Sequence, residues 1–594
     1  MSKSSNKNGF IIQAGILAAA GIICRIIGLL YRSPLAAVIG DEGNGYYQAA
    51  YNIYTMILLI SSYSIPSAIS KVIAQKLATH EYRNAHRVFT CAIYYVLIVG
   101  GLASLVLFFG AGFLTRGPAV QVVRVFAPTV FLYGLLGVLR GYFQAHRSMV
   151  QTSVSQIIEQ ILNAVVSIGA AYLLIILMLS TTDKYVINDD HSVSLGSTVV
   201  QEMAEEQTDE NGIVTYVLSD EQQAWNTKHA LYGAIGSALG TGSGVLIALL
   251  FMWAVYLLNK DTIYRRIGRD RHPVEEYGEI IKTITGVIIP FILSTAIYNL
   301  TTVVNQTVYT YIAAEKKNME NTEISTRYGI FSGKAVVISK IPIAISTAIA
   351  SAILPTVSAL AGSGDMKGAR RKTAQAVKTT MFIAIPATVG IAVLARPITW
   401  LLFPQKASID MASRLLMLLA VSIILYSLST LTNSILQGIG QVRVPVKNAA
   451  VALVIQTAIT ALLLLLTGLD MYALVIAEIV YSGMMCFLNQ RSIRRYMHYR
   501  QEIFKTFIVP FVASVFMGLA AYGTYAGIHA LMGGGEYPGR MQNAIALIPA
   551  ILVGCVVYFV LEILFGGISE KELRELPKGY LMVKVAKKLH LHLM

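Results

Sequence analysis

The stretch GIICRIIGLLYRSPLAAVIG (residues 21–40) belongs to an apolar run that starts at Ile11, and it carries Arg25 and Arg32. An ionised side chain in the middle of a membrane helix costs roughly 2.5–3.5 kcal/mol on insertion scales, so it usually faces a cavity or a partner. The first acidic residue after the run is Asp41, which lies beyond its end. The stretch therefore predicts a membrane helix whose arginines meet a partner from elsewhere.

The composition extends this interpretation to the whole chain. Of its 594 residues, 55% are hydrophobic and 13% are charged, and the mean hydropathy is +0.61. A soluble protein of this length needs a larger charged surface, and the runs are too long for the strands of a β-barrel. We predict an all-α polytopic membrane protein with about fourteen transmembrane helices, near residues 11–39, 47–77, 88–113, 121–145, 152–180, 230–258, 280–312, 328–360, 376–403, 412–437, 447–467, 471–490, 506–531 and 541–566. The first run lacks a small-residue cleavage site before Arg25, so we expect it to be a retained helix and not a signal peptide.

The net charge of +15 lies mostly in short loops between the apolar runs. This is the distribution of the positive-inside rule, which makes a nucleic-acid partner a poor explanation. The rule places both termini in the cytoplasm, with the basic loops HEYRNAHR (80–87), NKDTIYRRIGRDRHP (259–273), MKGARRK (366–372) and RSIRRYMHYR (491–500).

The long segment 181–228 falls on the opposite, extracytoplasmic side and is strongly acidic. We expect a surface insertion with a strand-rich hairpin around GIVTYVL (212–218). The doublet Asp189–Asp190 offers one enzymatic alternative, a membrane glycosyltransferase or glycan polymerase. The sequence contains no GxSxG, HExxH or P-loop motif, so we predict that the protein is not an enzyme. Its four cysteines lack metal-ligand spacing, so no metal site is predicted.

An internal repeat is visible at one constant offset. Residues 126–151 resemble residues 419–444, with Tyr133 opposite Tyr426, and Pro66 and Pro355 occupy similar places earlier in each half. Transporters often contain such repeats. The predicted organisation is an N-lobe of helices 1–5 (1–180), the acidic loop (181–229), helix 6 with a basic linker (230–272), a C-lobe of helices 7–12 (273–490), and two further helices with a basic tail (491–594).

Several polar residues fall inside the predicted spans. Cations dominate: Arg25, Arg32 and Lys71 in the first half, Lys334 and Lys340 in the second. A cavity with excess positive charge favours an anionic ligand such as phosphate or carboxylate. Alternatively, Arg32 and Lys71 reach a membrane surface, and Lys334 or Lys340 pairs with Glu159 or Glu478.

The predicted fifth helix carries Gln156, Glu159, Gln160 and Asn163 on one face. This stripe lines a cleft or forms interhelical hydrogen bonds. No cofactor is predicted. Coupling to Na⁺ or H⁺ is left open, with candidate ligands in Asn299, Asn305, Gln306, Gln456 and Glu478.

Residues 24–75 closely resemble the start of the SpoVB/YtgP-type polysaccharide-biosynthesis proteins. These are relatives of the MurJ lipid II flippases in the multidrug/oligosaccharidyl-lipid/polysaccharide (MOP) exporter superfamily. The similarity is carried by Arg25 with IIGLLY, by GYYQAAYNIYT (45–55) and by IPSAISK (65–71). It implies two six-helix, MATE-like repeat lobes around a cationic cavity, plus two C-terminal helices. Segment 181–228 is an elaboration beyond the family pattern.

The resemblance also implies roles for particular residues. Arg25 matches the family's essential first-helix arginine, whereas Arg32 lies one residue out of register with a second one. The cavity arginine of the family's eighth helix has no arginine counterpart in that helix, and Lys334 or Lys340 takes its place by location. We therefore expect the substrate-binding residues Arg25, Arg32, Lys71, Glu159, Gln160, Lys334 and Lys340.

The implied function is that of a flippase for lipid II by alternating access. The partners are then an undecaprenyl-diphosphate-linked glycan and membrane lipids, with cell-wall synthesis proteins as further candidates. Two alternatives stay open: a flippase for another lipid-linked glycan, such as a capsule or spore-cortex precursor, and a cation-coupled drug exporter of the same superfamily. The drug exporter would favour cavity acids over cations.

Overall fold

Long apolar helices joined by short polar turns make up most of the chain, as expected where lipid offers the backbone no hydrogen bonds. The computed structural model describes residues 20–21, 23–62, 65–146, 148–188, 190–208, 214–568, 570 and 583. They divide into two units. The first extends to Thr307 and includes Asn318–Gly329, and the second contains Val308–Lys317 and the chain from Ile330 onward. The domain limits expected from the sequence stay predictions.

The first unit contains ten helices in its described part, of which the last two continue into the second unit. The first nine are α1 (Ile23–Leu30), α2 (Arg32–Ser61), α3 (Ile65–Ala78), α4 (Tyr82–Tyr95), α5 (Gly101–Leu114), α6 (Ala119–Ala145), α7 (Met149–Leu179), α8 (Asp220–Arg269) and α9 (Tyr277–Glu315). A π-helical turn, Val96–Gly100, joins α4 to α5.

A short helix, α10 (Asn321–Ile330), leads into the second unit. The remaining helices are α11 (Val336–Gly362), α12 (Met366–Val393), α13 (Ala395–Leu402), α14 (Lys406–Leu419), α15 (Val421–Gly438), α16 (Arg443–Leu466), α17 (Met471–Met497), α18 (Val509–Leu531) and α19 (Arg540–Leu564). Two further π-helical turns, Phe331–Ala335 and Phe504–Ile508, precede α11 and α18.

In the described part of the chain, ten helices are long and apolar enough to cross a membrane, or twelve if each of two bent pairs is one span. The bent pairs are α1–α2, at 46°, and α14–α15, at 45°. The predicted start at Ile11, the basic tail from Pro577 and the side chains of residues 287–299 in the predicted seventh span lie outside the described residues. The all-α polytopic class is confirmed, while the number fourteen stays a prediction.

The same helix packing recurs within each unit, as a repeat requires. In the first unit α6 packs on α3 and α8, and α7 packs on α8. In the second, α15 packs on α11 and α17, and α16 packs on α17. The two additional C-terminal helices, α18 and α19, pack on each other and on α12.

The matched prolines occupy different local structures in the two units. Pro66 lies in the first turn of α3, a position where a missing backbone N–H costs little. Pro355 lies inside α11, which continues through it to Gly362. The clearest backbone break is instead Gly40, whose φ of 73° divides α2 into the end of the first predicted span and the start of the second.

Three glycines of α8 form a close seam with α7. Gly236, Gly240 and Gly244 recur every four residues and therefore share one face of the helix. A Cβ at Gly240 would lie 2.3 Å from the backbone nitrogen of Ser167, and one at Gly244 would lie 2.5 Å from the Glu159 carbonyl oxygen. Small residues at this spacing let two membrane helices approach to backbone contact. The α7–α8 pair is therefore a fixed unit.

The acidic segment between α7 and α8 folds into two small antiparallel sheets. Strands β1 (Tyr185–Ile187), β2 (Val193–Leu195) and β3 (Thr198–Gln201) pair in that order, and β4 (Glu205–Thr208) pairs with β5 (Val214–Val217). The predicted hairpin around GIVTYVL is thus confirmed. The sheet is fastened to the start of α8, because Asn226 exchanges hydrogen bonds of 2.9 and 3.0 Å with the backbone of Tyr185.

The linker after α8 is fastened to the turn between α3 and α4. Asp270 accepts hydrogen bonds from the backbone N–H groups of Arg83, at 2.7 Å, and His272, at 2.9 Å. Asn84 Nδ2 donates to the carbonyl oxygen of Pro273 at 3.0 Å. The course of the basic linker is therefore fixed by buried polar groups of the neighbouring turn.

The hydrogen bonds to Asp270 predict that the free energy of unfolding decreases at acid pH. Burial raises the pKa of Asp270, but the hydrogen bonds from Arg83 and His272 outweigh it and lower the pKa to about 2. A carboxyl with a pKa below its unfolded value of about 3.9 stabilises the fold above that pH and loses the contribution between about pH 4 and pH 2. Asp270→Asn should therefore lose about 1–3 kcal/mol at pH 7 and show a weaker acid dependence.

Thermal unfolding of purified protein at pH 7, 5 and 3 tests this expectation. Asp261→Asn is the matched control, because Asp261 is an exposed acid on the same end of α8. An Asp270→Asn protein with the stability and acid dependence of the wild type would contradict the assignment.

Candidate functional site

Arg25 is an exposed residue of α1, the helix packed along α7. Ile27, Tyr31 and Leu35 form an apolar cluster with Ala164 and Ala171 of α7. This packing fixes the position of Arg25 along the axis of α7.

Gln160 of α7 lies beside the same part of α1. A Cβ at Gly28, one turn after Arg25, would be 3.3 Å from Gln160 Nε2. Cys24, the neighbour of Arg25, experiences the electrostatic field of both Glu159 and Arg140. The structure therefore brings three of the predicted features, Arg25, Gln160 and Glu159, into one region of the first unit.

Glu159 forms an ion pair that the sequence analysis missed. Its carboxylate accepts from Arg140 of α6, with Nη2 and Oε2 2.7 Å apart. Arg140 Nε also donates to Ser155 Oγ at 2.9 Å, and the arginine is only 5% exposed. Glu159 thus has a cationic partner within its own unit, and the suggested pairing of Lys334 or Lys340 with Glu159 or Glu478 stays a prediction. The signal was available: α6 and α7 are consecutive helices joined by a short turn, so charges near that turn meet.

Asn163, the last member of the polar stripe, is used between helices. Its Oδ1 accepts from Ser167 Oγ at 3.0 Å and from Thr241 Oγ1 of α8 at 3.2 Å. Thr241 in turn contacts the hydroxyl of Tyr47 at 3.3 Å. Of the two readings of the stripe, interhelical hydrogen bonding accounts for Glu159 and Asn163.

The other cations predicted in the first half, Arg32 and Lys71, lie on different helices. Arg32 is half-buried and begins α2 at the 46° bend. Lys71 is exposed on α3, a helix of 14 residues. Both positions leave their assigned role in substrate binding a prediction.

Lys334 is completely buried in the second unit. It belongs to the π-helical turn Phe331–Ala335, and its Nζ donates to Gln405 Oε1 and, at 2.5 Å, to Ser408 Oγ. π-helical turns often mark functional positions because they redirect side chains. Lys340, six residues later on α11, is exposed. Of the two lysines offered as a cavity cation, Lys340 is therefore the accessible one in this conformation.

The candidate ligands for a coupling cation are divided between the units. Gln306 accepts from Asn52 Nδ2 at 2.8 Å in the first unit, while Glu478 accepts from the Tyr426 hydroxyl in the second. Gln456 is buried, and neither polar side-chain atom has a hydrogen-bond partner among the described residues. The side chain of Asn299 lies outside the described residues.

The proposed acidic doublet has a local role in the outer segment. Asp190 Oδ1 accepts from the backbone N–H of Ser192 at 3.1 Å and from its hydroxyl at 2.6 Å, as in a tight turn. Asp189 lies outside the described residues. The described half of the doublet thus organises a turn.

Comparison with known proteins agrees with the fold. Residues 84–538 match the family model of the lipid II flippase MurJ. The chain is 23% identical over 587 residues to the lipid II flippase MurJ of Bacillus subtilis (strain 168), covering 95% of this chain and 96% of that protein. It is 20% identical over 582 residues to stage V sporulation protein B of the same organism, covering 96% and 98%.

A solved structure shows the same fold. Lipid II flippase MurJ in an inward closed conformation superposes with a TM-score of 0.61 at 15% identity, covering 92% of this chain and 98% of that one. The resemblance of residues 24–75 to SpoVB/YtgP-type proteins is confirmed by these relatives over nearly the whole chain. The chain therefore belongs to the MurJ family of lipid II flippases, and it is a non-enzymatic, multi-pass membrane transporter.

Proposed function

We propose that this protein carries lipid II across the membrane by alternating access, with Arg25 binding the diphosphate of the lipid-linked headgroup. As a member of the MurJ family it is a flippase for lipid-linked precursors. The observation that carries the finer proposal is the exposed Arg25 on a membrane helix, beside Gln160. Arginine presents a planar fork of donors that fits phosphate oxygens in pairs.

The Arg140–Glu159 ion pair supports this assignment because its two charges neutralise each other. The pair therefore adds hydrogen-bonding groups near Gln160 without adding net charge. Of Arg25, Arg32 and Arg140, Arg25 is the exposed arginine. Each charge-assisted hydrogen bond to a diphosphate oxygen contributes about 1.5–3 kcal/mol, which is enough for capture and weak enough for release.

The direction of transport follows from charge placement. We infer from the positive-inside rule that the basic loops at 80–87, 259–273, 366–372 and 491–500 and both termini lie in the cytoplasm. The headgroup would then enter from the basic face and leave on the side of the acidic segment 181–228. Coupling to Na⁺ or H⁺ stays a prediction.

Arg25→Ala should reduce outer-leaflet exposure of lipid II about tenfold or more, because at least one charge-assisted hydrogen bond of about 1.5–3 kcal/mol is lost. The measurement uses cells in which this protein is the sole flippase and quantifies lipid II that an externally added enzyme can cleave. Arg25→Lys keeps the positive charge but loses the planar guanidinium, so its exposure of lipid II should lie between that of the wild type and that of Arg25→Ala. Arg495→Ala, an exposed arginine in the last turn of α17, is the control.

Normal exposure of lipid II with Arg25→Ala at wild-type protein levels would overturn the proposal. If wild-type protein itself fails to support exposure of lipid II but exposes another undecaprenyl-diphosphate-linked glycan, the substrate is a capsule or spore-cortex precursor. If the protein were a drug exporter, it would make the same cells resistant to the drugs that it carries. It would then expose neither lipid II nor another undecaprenyl-diphosphate-linked glycan.

A further inference from the structure

A cavity of about 180 Å³ lies at one end of the first unit, where α3, α4, α6, α7 and α8 meet. It is separate from the Arg25 region, and the proposed function does not use it. Its walls come from two basic loops noted in the sequence, with Tyr82, His86 and Arg266, and from the turn between α6 and α7, with His146 and Ser148. The volume is below the roughly 300–1,000 Å³ of drug-sized sites, which favours a small group.

The described lining is suited to an anion. It contains no acidic residue, and Arg266 supplies a positive charge. His86 Nδ1 is buried without a hydrogen-bond partner among the described residues. His146 Nδ1 donates to the Tyr142 carbonyl at 2.9 Å, so the neutral ring presents Nε2 as an acceptor and adds no donor for an anion. Burial, followed by the nearby Arg266, lowers the pKa of His146, while the bond to Tyr142 partly offsets this.

The N-terminus of α7 adds donors to the same cavity. The N-cap Ser148 makes no capping bond, because its hydroxyl donates to the side chain of Gln151 instead. Ser148 and Gln151 both line the cavity, so the uncapped first turn of a 31-residue helix lies at its wall. Backbone N–H groups at a helix start, with the positive end of the helix dipole, bind phosphate readily.

The rest of the lining indicates where the phosphate comes from. Leu77, Phe143 and Ile267 give the cavity apolar walls beside its polar groups. The cavity lies where apolar spans pass into basic loops, which is the level of lipid headgroups in a membrane protein oriented by the positive-inside rule. A headgroup phosphate can reach this level while its acyl chains stay in the bilayer.

We propose that this cavity binds a phosphate group through Arg266 and the start of α7, supplied by an anionic membrane lipid or as free phosphate. Binding would connect α4, the α6–α7 turn and α8, and so stabilise the first unit. This inference is independent of the substrate that the flippase carries, because its readout is binding and not transport.

Thermal unfolding of the purified full-length protein tests the proposal. Two ligands are compared: phosphatidylglycerol against phosphatidylcholine in mixed micelles, and sodium phosphate against sodium chloride at equal ionic strength. Arg266→Gln removes the cation from the cavity. Arg265→Gln is the matched control, because the adjacent Arg265 is exposed and donates to the Asp261 carbonyl outside the lining. Gln151→Ala is a second variant in case Arg266→Gln folds poorly.

Stabilisation of the wild type by phosphatidylglycerol, with apparent affinity at least tenfold weaker in Arg266→Gln or Gln151→Ala and unchanged in Arg265→Gln, would support a lipid phosphate. The same pattern with sodium phosphate alone would support free phosphate. An equal loss of apparent affinity in Arg265→Gln would show that the ligand is attracted to the basic surface in general, and this result would overturn the proposed site. So would equal stabilisation of the wild type and the Arg266→Gln and Gln151→Ala variants.

Discussion

Glu159→Gln should destabilise the first unit by about 3–5 kcal/mol, because it leaves the Arg140 guanidinium buried without its counter-charge. Arg140 is 5% exposed and its only charged partner among the described residues is Glu159, so the loss cannot be compensated by water at that position. The side chain of Glu159 is 22% exposed, which places the expected effect toward the lower end of this range.

The measurement is thermal unfolding of the purified protein, with the double variant Glu159→Gln/Arg140→Gln as control. The double variant removes both charges and leaves two amides able to hydrogen-bond, so it should recover much of the stability lost by the single one. A double variant less stable than Glu159→Gln would contradict the ion-pair assignment. If the double variant folds but does not expose lipid II, the pair also contributes to substrate handling.

Gly240→Ala should be nearly as damaging, for a steric reason. The added methyl group would lie 2.2 Å from Ser167 Oγ, 2.3 Å from its backbone nitrogen and 2.4 Å from its Cα. The side chain could rotate away, but the two backbone atoms cannot move without displacing α7. Overpacking of this kind typically costs about 1–3 kcal/mol, and here it also strains the neighbouring contacts of Gly236 and Gly244.

Gly169→Ala on the facing helix α7 is the matched control for this prediction. A Cβ at Gly169 would meet no atom within 4 Å, so the substitution should be neutral or slightly stabilising, since alanine favours a helix by about 1 kcal/mol over glycine. Thermal unfolding of both variants gives the comparison. Similar stability of Gly240→Ala and Gly169→Ala would mean that α7 and α8 are not in backbone contact.

The sequence was sufficient for the helices because membrane-length apolar runs admit few other structures. It was also sufficient for the outer hairpin, where the β-branched and aromatic residues of Val214–Val217 favour a strand. It also singled out Arg25 through the cost of a charge inside such a run, and the role of Arg25 in binding stays a prediction. These successes share one cause: each depends on the local composition of a single segment.

The sequence was insufficient where two segments decide the outcome together. Arg140 was overlooked because its significance depends on Glu159, a residue of the next helix. The direction of the Lys334 side chain was not predictable either, because a π-helical turn sets it toward Gln405 and Ser408. The division of α2 at Gly40 gave no composition signal beyond the glycine itself.

The glycine seam between α7 and α8 has a consequence for how this chain tolerates change. Because Gly236, Gly240 and Gly244 hold the two helices at fixed distance, the segment between Leu179 and Asp220 connects two points that do not separate. Lengthening such a connection costs only about 0.6 kcal/mol for each doubling. Evolution could therefore enlarge this segment freely, and an experimenter can use it in the same way: a fluorescent reporter or affinity tag inserted between β4 and β5 should leave the transporter intact.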